Sequence, residues 1–286
     1  NDPPYAQQML DSAIILANQI NYLKGLGQSY HYKGVSAYYS GNLVQAMDLF
    51  MKSYEIREKI NDKEGLASAC IILGLMYSNQ NLHNKAVEFY NQSLALSTEL
   101  NDTLGLASVY NNLGVVYANQ KMYDSALVFY EKALKIVIKY NDIQSIGLQL
   151  NNIGRAYFYL KDYKKAHEYY NKSLVYKEKQ GEFVHLATIY TDYGNLHLEI
   201  KEYDEALSFY NKSIELAKKA DLKLELLDVY AGLSQLFAQI QNYEQSYKYQ
   251  LLHKQLKDSI MQTEIPAKLA EFELRIRYEK EKELEK

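Results

Sequence analysis

The 286-residue sequence contains three prolines, one cysteine and no tryptophan. The prolines are Pro3, Pro4 and Pro266, so a long interior lacks the residue that interrupts helices most strongly. The single Cys70 cannot form an intrachain disulfide, which excludes a disulfide scaffold. No apolar run approaches the roughly 20 residues needed to cross a bilayer. The sequence therefore predicts no membrane span within this stretch of chain.

Charge and histidine placement argue against several classes of function. The net charge is −3, whereas a nucleic-acid-binding surface needs a basic face. The histidines are scattered without a pair at metal-ligand spacing, which favours surface or packing roles. No cluster of titratable residues suggests catalysis. We therefore expect a chain that is not an enzyme and that binds no metal, cofactor or nucleic acid. The six histidines are His31, His83, His167, His185, His197 and His253.

A repeat with a period of 40 residues organises the chain. One register holds glycine five times and serine once: Gly34, Gly74, Gly114, Gly154, Gly194 and Ser234. Twelve residues later comes a second small residue, at Ala46, Ala86, Ala126, Ala166, Ala206 and Ser246. Aromatic residues follow the glycine by three positions in most units and the alanine by four. Such regular spacing predicts a repeat protein.

Each repeat reads as two helices. Tyr110, Leu113, Gly114 and Tyr117 recur at spacings of three and four, which is one face of a helix. A glycine inside a helix costs about 1 kcal/mol relative to alanine, so its recurrence implies a close helix crossing that admits aromatic rings. Asn-Asp pairs separate the units; Asn tolerates the left-handed conformation that ends a helix, and Asp can cap the next. The prediction is an all-α fold.

This pattern resembles the tetratricopeptide repeat family. The resemblance rests on 113–117 (LGVVY), 123–127 (YDSAL), 129–130 and 133–134. It implies a right-handed α-α superhelix of about six and a half helix pairs. Two features depart from the family: its early tryptophan is replaced, mostly by tyrosine, and the period exceeds the usual length of roughly 34 residues. The expected segments are a half-repeat at 3–22, full units at 23–62, 63–102, 103–142, 143–182, 183–222 and 223–262, and a terminal helix at 263–286.

The resemblance also implies that the first helix of each pair lines a concave groove. Asn side chains there can donate to and accept from a peptide backbone, and Arg can clamp a carboxylate. The alternative is that these residues are solvated positions on a polar helix face. In the first two units, His31, Ile71 and Ile72 predict apolar contacts instead. The candidate groove residues are Asn111, Asn112, Asn119, Asn151, Asn152, Arg155, Tyr159, Asn195 and Gln235.

The terminal segment differs from the repeats. Leu269, Phe272 and Ile276 follow Pro266 at helical spacing, and the chain then becomes almost wholly charged. We expect the first half of 263–286 to cap the last repeat and the second half to begin a connecting or coiled-coil helix. An alternative is that this helix folds back into the groove.

Two stretches, 16–25 and 271–281, resemble the sensor segments of bacterial membrane signalling proteins, of the histidine kinase or transcriptional regulator type. That resemblance implies a non-catalytic module that binds a protein or peptide ligand outside the cytoplasm. It also implies a membrane-anchored or coiled-coil continuation after Lys286. The alternative is a free cytoplasmic adaptor or assembly scaffold, in which the terminal helix makes a homodimer.

Overall fold

The computed structural model describes residues 3–40, 42–178 and 183–260, together with Phe272 and Leu274. The described residues contain helices and turns and no strand, which confirms the all-α helical-repeat prediction. The helices are α1 (Pro3–Gln19), α2 (Leu23–Tyr39), α3 (Leu43–Lys59), α4 (Lys63–Asn79), α5 (His83–Glu99), α6 (Thr103–Asn119), α7 (Tyr123–Lys139), α8 (Ile143–Tyr159), α9 (Tyr163–Glu178), α10 (Phe183–Glu199), α11 (Tyr203–Lys219), α12 (Lys223–Gln239) and α13 (Tyr243–Ile260).

The chain divides into two compact units. Unit 1 comprises residues 1–116 and 262–286, and unit 2 comprises residues 117–261. The boundary falls in the last turn of α6. Unit 1 therefore holds α1 to α5 and most of α6, and unit 2 holds α7 to α13.

Apart from the segment between α9 and α10, which lies outside the described residues, the helices are joined by three-residue junctions, most of which share one geometry. The second residue of a junction has a positive φ, as at Asn61 (φ 54°) and Asn141 (φ 52°). An aspartate then caps the next helix: Oδ1 of Asp102 accepts a hydrogen bond from the Gly105 amide at 2.9 Å. The Asn-Asp pairs thus perform both tasks predicted for them. Within the helix pairs, the same left-handed position is taken by lysine at Lys121, Lys161 and Lys201.

The glycine register makes room for an aromatic ring from the partner helix. A Cβ atom built at Gly154 would lie 2.5 Å from the ring of Tyr170, and one at Gly194 would lie 2.4 Å from the ring of Tyr210. Gly34 faces Phe50 and Gly74 faces Tyr90 in the same way. The predicted reason for the recurring glycine is therefore confirmed: the ring occupies the space that a side chain would need.

In most helix pairs, one further ring from each helix stacks on its counterpart in the partner helix. Their centroids are 5.2–5.6 Å apart and their planes lie within 19° of parallel. His197 departs from the aromatic register in sequence, yet its imidazole stacks on Phe209 as the tyrosines stack on their partners. The five pairs are Tyr77–Phe89, Tyr117–Phe129, Tyr157–Tyr169, His197–Phe209 and Phe237–Tyr249.

A buried serine ties the two helices of four pairs together. Ser213 Oγ donates to the Ala187 carbonyl at 2.9 Å, and Ser173 Oγ donates to the Gly147 carbonyl at 2.7 Å. Ser53 and Ser93 make the equivalent bonds in α3 and α5. These serines are fully buried, so each hydroxyl needs such a partner.

The first helices of successive pairs approach one another and so form the inner face of each unit. In unit 1, α2 approaches α4; in unit 2, α10 approaches both α8 and α12. Among the described residues, the backbones of consecutive second helices approach less closely, although side chains such as Tyr54 of α3 and Phe89 of α5 make contact. The second helices, such as α9 and α11, therefore form the outer face.

Most of the terminal segment, including Leu269 and Ile276, lies outside the described residues. Phe272 is described: its ring contacts Tyr54 of α3 with centroids 5.9 Å apart. The expected capping of the last pair falls mostly on residues outside the described ranges and stays a prediction; Tyr243 and Tyr247 of α13 are 69% and 68% exposed. Phe272 thus contacts a second helix of unit 1, on its outer face.

Candidate functional site

The inner face of unit 2 carries a row of polar side chains on α8, α10 and α12. They occupy two positions relative to the glycine register: two residues before it, and one residue after it. Because successive first helices pack side by side, residues in one register form a line across the helices. Asn152 and Asn195 are half-buried there, whereas Arg155 and Gln235 are exposed. The sequence-predicted residues of α8, α10 and α12 therefore lie on adjoining helices.

A buried aspartate organises one end of this row. Asp192 of α10 is only 7% exposed. Its Oδ2 accepts a hydrogen bond from Asn151 Nδ2 at 2.8 Å, and its Oδ1 lies 3.5 Å from Arg155 Nε. Both partners belong to α8. Asp192 thus links α8 to α10 and forms an ion pair with the guanidinium of Arg155, whose side chain remains 44% exposed.

The charges of this cluster are coupled. Burial raises the pKa of Asp192 to about 6, although Arg155 and the Asn151 hydrogen bond act in the opposite direction. The negative charge of Asp192 raises the pKa of Arg155 above its ordinary value, and Asp228 of α12 contributes in the same sense. Arg155 therefore remains charged and is balanced by acidic groups. The guanidinium predicted to clamp a ligand carboxylate already faces a carboxylate of this chain.

Asn195 is positioned from the core. Its Oδ1 accepts a hydrogen bond from the Tyr210 hydroxyl at 2.7 Å, and Tyr210 is fully buried in α11. This bond holds the Asn195 side chain, which is half-buried. Gln235 of α12 is exposed one repeat further on. Both side chains can donate to and accept from a peptide backbone.

Other predicted residues take different roles. Asn151 is only 5% exposed and acts within the protein, by bonding Asp192, whereas its neighbour Asn152 is half-buried. Tyr159 is half-exposed and its ring stacks on Tyr123 of α7, with centroids 5.0 Å apart. Asn119 is exposed at the end of α6.

Unit 1 has a more apolar inner face. Asn111 Nδ2 donates to Asn112 Oδ1 at 3.3 Å, so these two predicted residues contact each other. Ile71 and Ile72 of α4 are half-buried.

An open apolar cavity of about 380 Å³ lies between α1 and α2, lined by side chains that include Leu16 and Tyr32. Burial lowers the pKa of His31 to about 4 with help from the Arg57 charge, and its ring contacts Phe50, so His31 has a packing role.

Sequence reasoning missed Asp192 and Asp228. Asp192 stands in the register of Asn112 and Asn152, two residues before the glycine. Its position in that register was a sufficient signal to include Asp192 among the candidate groove residues. No group of three or more His, Cys, Asp or Glu residues in the described ranges could hold a metal ion. In the same ranges, no helix is both long enough and apolar enough to cross a membrane.

Solved structures similar to this one share its helical-repeat fold. The apo form of RapI is 16% identical, with 82% of this chain and 84% of that chain covered and a TM-score of 0.69. The Rap conjugation gene regulator of the plasmid pLS20, solved with the Phr* peptide, is 15% identical, with coverages of 83% and 63% and a TM-score of 0.69. Aspartyl phosphate phosphatase F from Bacillus subtilis is 17% identical, with coverages of 88% and 68% and a TM-score of 0.66. At these identities the likeness shows the fold alone.

Sequence comparison is more specific about the family. No curated protein matches the chain at a significant level. The family model described as "Tetratricopeptide repeat" matches residues 25–99, 105–178 and 185–249, which is more than half of the chain. Together with the two-helix unit, the glycine–aromatic crossing and the 40-residue period, this match establishes that the chain belongs to the tetratricopeptide repeat family.

Proposed function

We propose that the inner face of unit 2 binds an extended polypeptide, and that the chain is the non-catalytic interaction or sensory segment of a bacterial signalling protein. The observation that carries the proposal is the row of Asn152, Arg155, Asn195 and Gln235 on three adjoining first helices. A peptide backbone offers alternating donors and acceptors, and amide side chains can pair with both.

The site is also held in place before a ligand arrives. Asp192 forms an ion pair with Arg155, and the Tyr210 hydroxyl donates a hydrogen bond to Asn195. Ordering a free side chain on binding costs about 0.5–1.5 kcal/mol, so side chains that are already positioned favour binding. The tetratricopeptide fold relative from pLS20 was solved with a peptide, which supports a peptide as the ligand here.

The charges of the face favour one class of peptide. Arg155 is opposed by Asp192 and Asp228. The row is therefore net negative above the pKa of Asp192, which is about 6. We expect peptides with a neutral or basic character to bind better than acidic peptides, because like charges across an interface are repulsive.

The test is selection from a phage-displayed library of random linear peptides, followed by fluorescence anisotropy with a labelled selected peptide. Replacing Arg155 and Gln235 together by alanine should weaken binding about tenfold or more, which corresponds to about 1.4 kcal/mol. The matched control replaces Asn211 and Glu215, which are exposed on the outer face of α11. Failure to select any peptide, or equal affinity for both double variants, would contradict the proposal.

A further inference from the structure

The outer face of α3 is covered more completely than the outer face of the other second helices. Met51 is only 2% exposed, whereas the residues at the same position in the next four pairs, Asn91, Glu131, Asn171 and Asn211, are all exposed. The residue itself also differs, because methionine replaces a polar or charged side chain. The face of α3 therefore has both the burial and the composition of a surface that receives another segment.

The same difference extends along the helix. Tyr54 is 2% exposed, whereas its counterparts Leu94, Leu134, Leu174 and Ile214 are half-buried. Asp48 and Glu55 are half-buried, whereas every counterpart in the next four pairs is exposed. These residues lie three or four positions apart, so they share one helical face. An apolar centre formed by Met51 and Tyr54 is thus flanked by carboxylates.

Phe272 is the described residue that occupies this face. It is only 1% exposed, and its ring meets the Tyr54 ring edge-on, with an interplanar angle of 86°. Leu274, two residues later, is 63% exposed. The segment therefore directs one aromatic side chain into the α3 face as an anchor.

We propose that the outer face of α3 is a docking site for this chain's own C-terminal segment, with Phe272 as the anchor. The site lies at the joint between the first two helix pairs. The Tyr54 hydroxyl bonds Glu58 and Gln92, and the Tyr54 ring contacts Phe89 of α5 at 5.8 Å. The position of the docked segment therefore depends on how α3 packs against α5.

The ring contacts continue from this joint toward the inner face. Phe89 stacks on Tyr77 of α4 with centroids 5.2 Å apart, and α4 carries Ile72 on the inner side. The docking site stands on these contacts of α3 and does not rest on the proposed function.

Tryptophan fluorescence tests the docking site without any ligand. The sequence has no tryptophan, so Phe272→Trp introduces a single reporter, and Leu274→Trp is its matched control. We expect Phe272→Trp to emit at shorter wavelength and to be quenched several-fold less by acrylamide. Adding Met51→Asp should remove this protection, whereas Asn91→Asp at the equivalent position should not. Equal quenching of the two reporters, or no effect of Met51→Asp, would overturn the proposal.

A thiol-labelling experiment covers the case in which Met51→Asp perturbs folding. Met51→Cys should react slowly with a maleimide in the parent protein and several-fold faster when Phe272→Asp is added, but not when Leu274→Asp is added. The native Cys70 is buried and serves as an unreactive reference. A maleimide reaction rate at Met51→Cys that is unchanged by Phe272→Asp would overturn the proposal. Protection that disappears on dilution, together with dimers in sedimentation, would show that the segment of a second copy occupies α3 and would overturn the intrachain assignment.

The joint itself is tested by Phe89→Ala in the Phe272→Trp protein. Removing the ring beside Tyr54 should increase quenching several-fold, whereas Phe129→Ala, the same position in the third pair, should leave quenching unchanged. Equal effects of the two substitutions would overturn the link between the docked segment and the joint. None of these measurements requires a peptide, so the docking site can fail while peptide binding holds, and the reverse.

Discussion

The ring of Tyr210 lies against Gly194 while its hydroxyl donates to Asn195, the next residue of the same helix. One buried side chain of α11 therefore depends on a glycine for its space and positions a neighbouring amide on the inner face. The packing of the repeat and the geometry of the candidate binding face are connected through this residue. Substitutions in the core should consequently affect binding as well as stability.

Gly194→Ala should destabilise unit 2. The added Cβ would lie 2.4 Å from the Tyr210 ring, and overpacking costs about 1–3 kcal/mol, which exceeds the gain of about 1 kcal/mol from alanine's helix propensity. The midpoint of urea unfolding should fall. In the control, Gly27→Ala, the new Cβ lies 3.3 Å from a flexible Arg57 carbon, and stability should be unchanged or higher. A loss in Gly27→Ala as large as in Gly194→Ala would contradict the packing account.

Tyr210→Phe should separate positioning from packing. The variant keeps the ring over Gly194 but removes the bond to Asn195, so we expect a stability loss of only about 1 kcal/mol. Affinity for a selected peptide should fall, because Asn195 must then be ordered on binding. Tyr90→Phe, in the same register of unit 1, is the control and should leave affinity unchanged. An unaltered affinity in Tyr210→Phe would show that Asn195 is not a contact.

Asp192 should make stability depend on pH. Its folded-state pKa of about 6 lies above the unfolded value of about 3.9, so the native state binds more protons than the unfolded state between these values. The contribution of Asp192 to stability must therefore decrease as pH rises from about 4 to about 6. The melting temperature of wild type minus that of Asp192→Asn should fall across this window. A difference that rises would contradict the raised pKa.

Lys161→Gly should stabilise the protein. Lys161 has a φ of 62°, a conformation that costs a residue with a Cβ about 1–2 kcal/mol, and glycine removes that cost at the expense of a more flexible unfolded chain. The net gain should be up to about 1 kcal/mol in the free energy of unfolding. Asn141→Gly, where asparagine already tolerates the conformation, should change stability less. A destabilised Lys161→Gly would contradict the strain argument.

The fold was predictable because its determinants repeat. The volume needed at Gly154 and Gly194, and the left-handed turn at Asn61, recur every 40 residues and can be seen without coordinates. The candidate site was less predictable. Asn151 and Asn152 are adjacent and look equivalent, but consecutive helical side chains point about 100° apart, so Asn151 is buried and bonds Asp192, whereas Asn152 is half-buried.

The terminal segment shows a second limit. The spacing of Leu269, Phe272 and Ile276 predicts an amphipathic helix, but periodicity does not say which surface receives the apolar side. The receiving face became visible only when the exposure of Met51 could be compared with that of its counterparts. In sequence, Met51 replacing the polar residues at Asn91 and Glu131 was the available signal.

The most direct test of peptide binding is a crystal structure of the protein with a peptide selected from the random library. We expect the peptide to run along α8, α10 and α12, with its backbone bonded to Asn152 or Asn195 and a peptide carbonyl within hydrogen-bond distance of Arg155. A peptide bound instead to the outer helices α9 and α11, or in the cavity between α1 and α2, would contradict the proposed site.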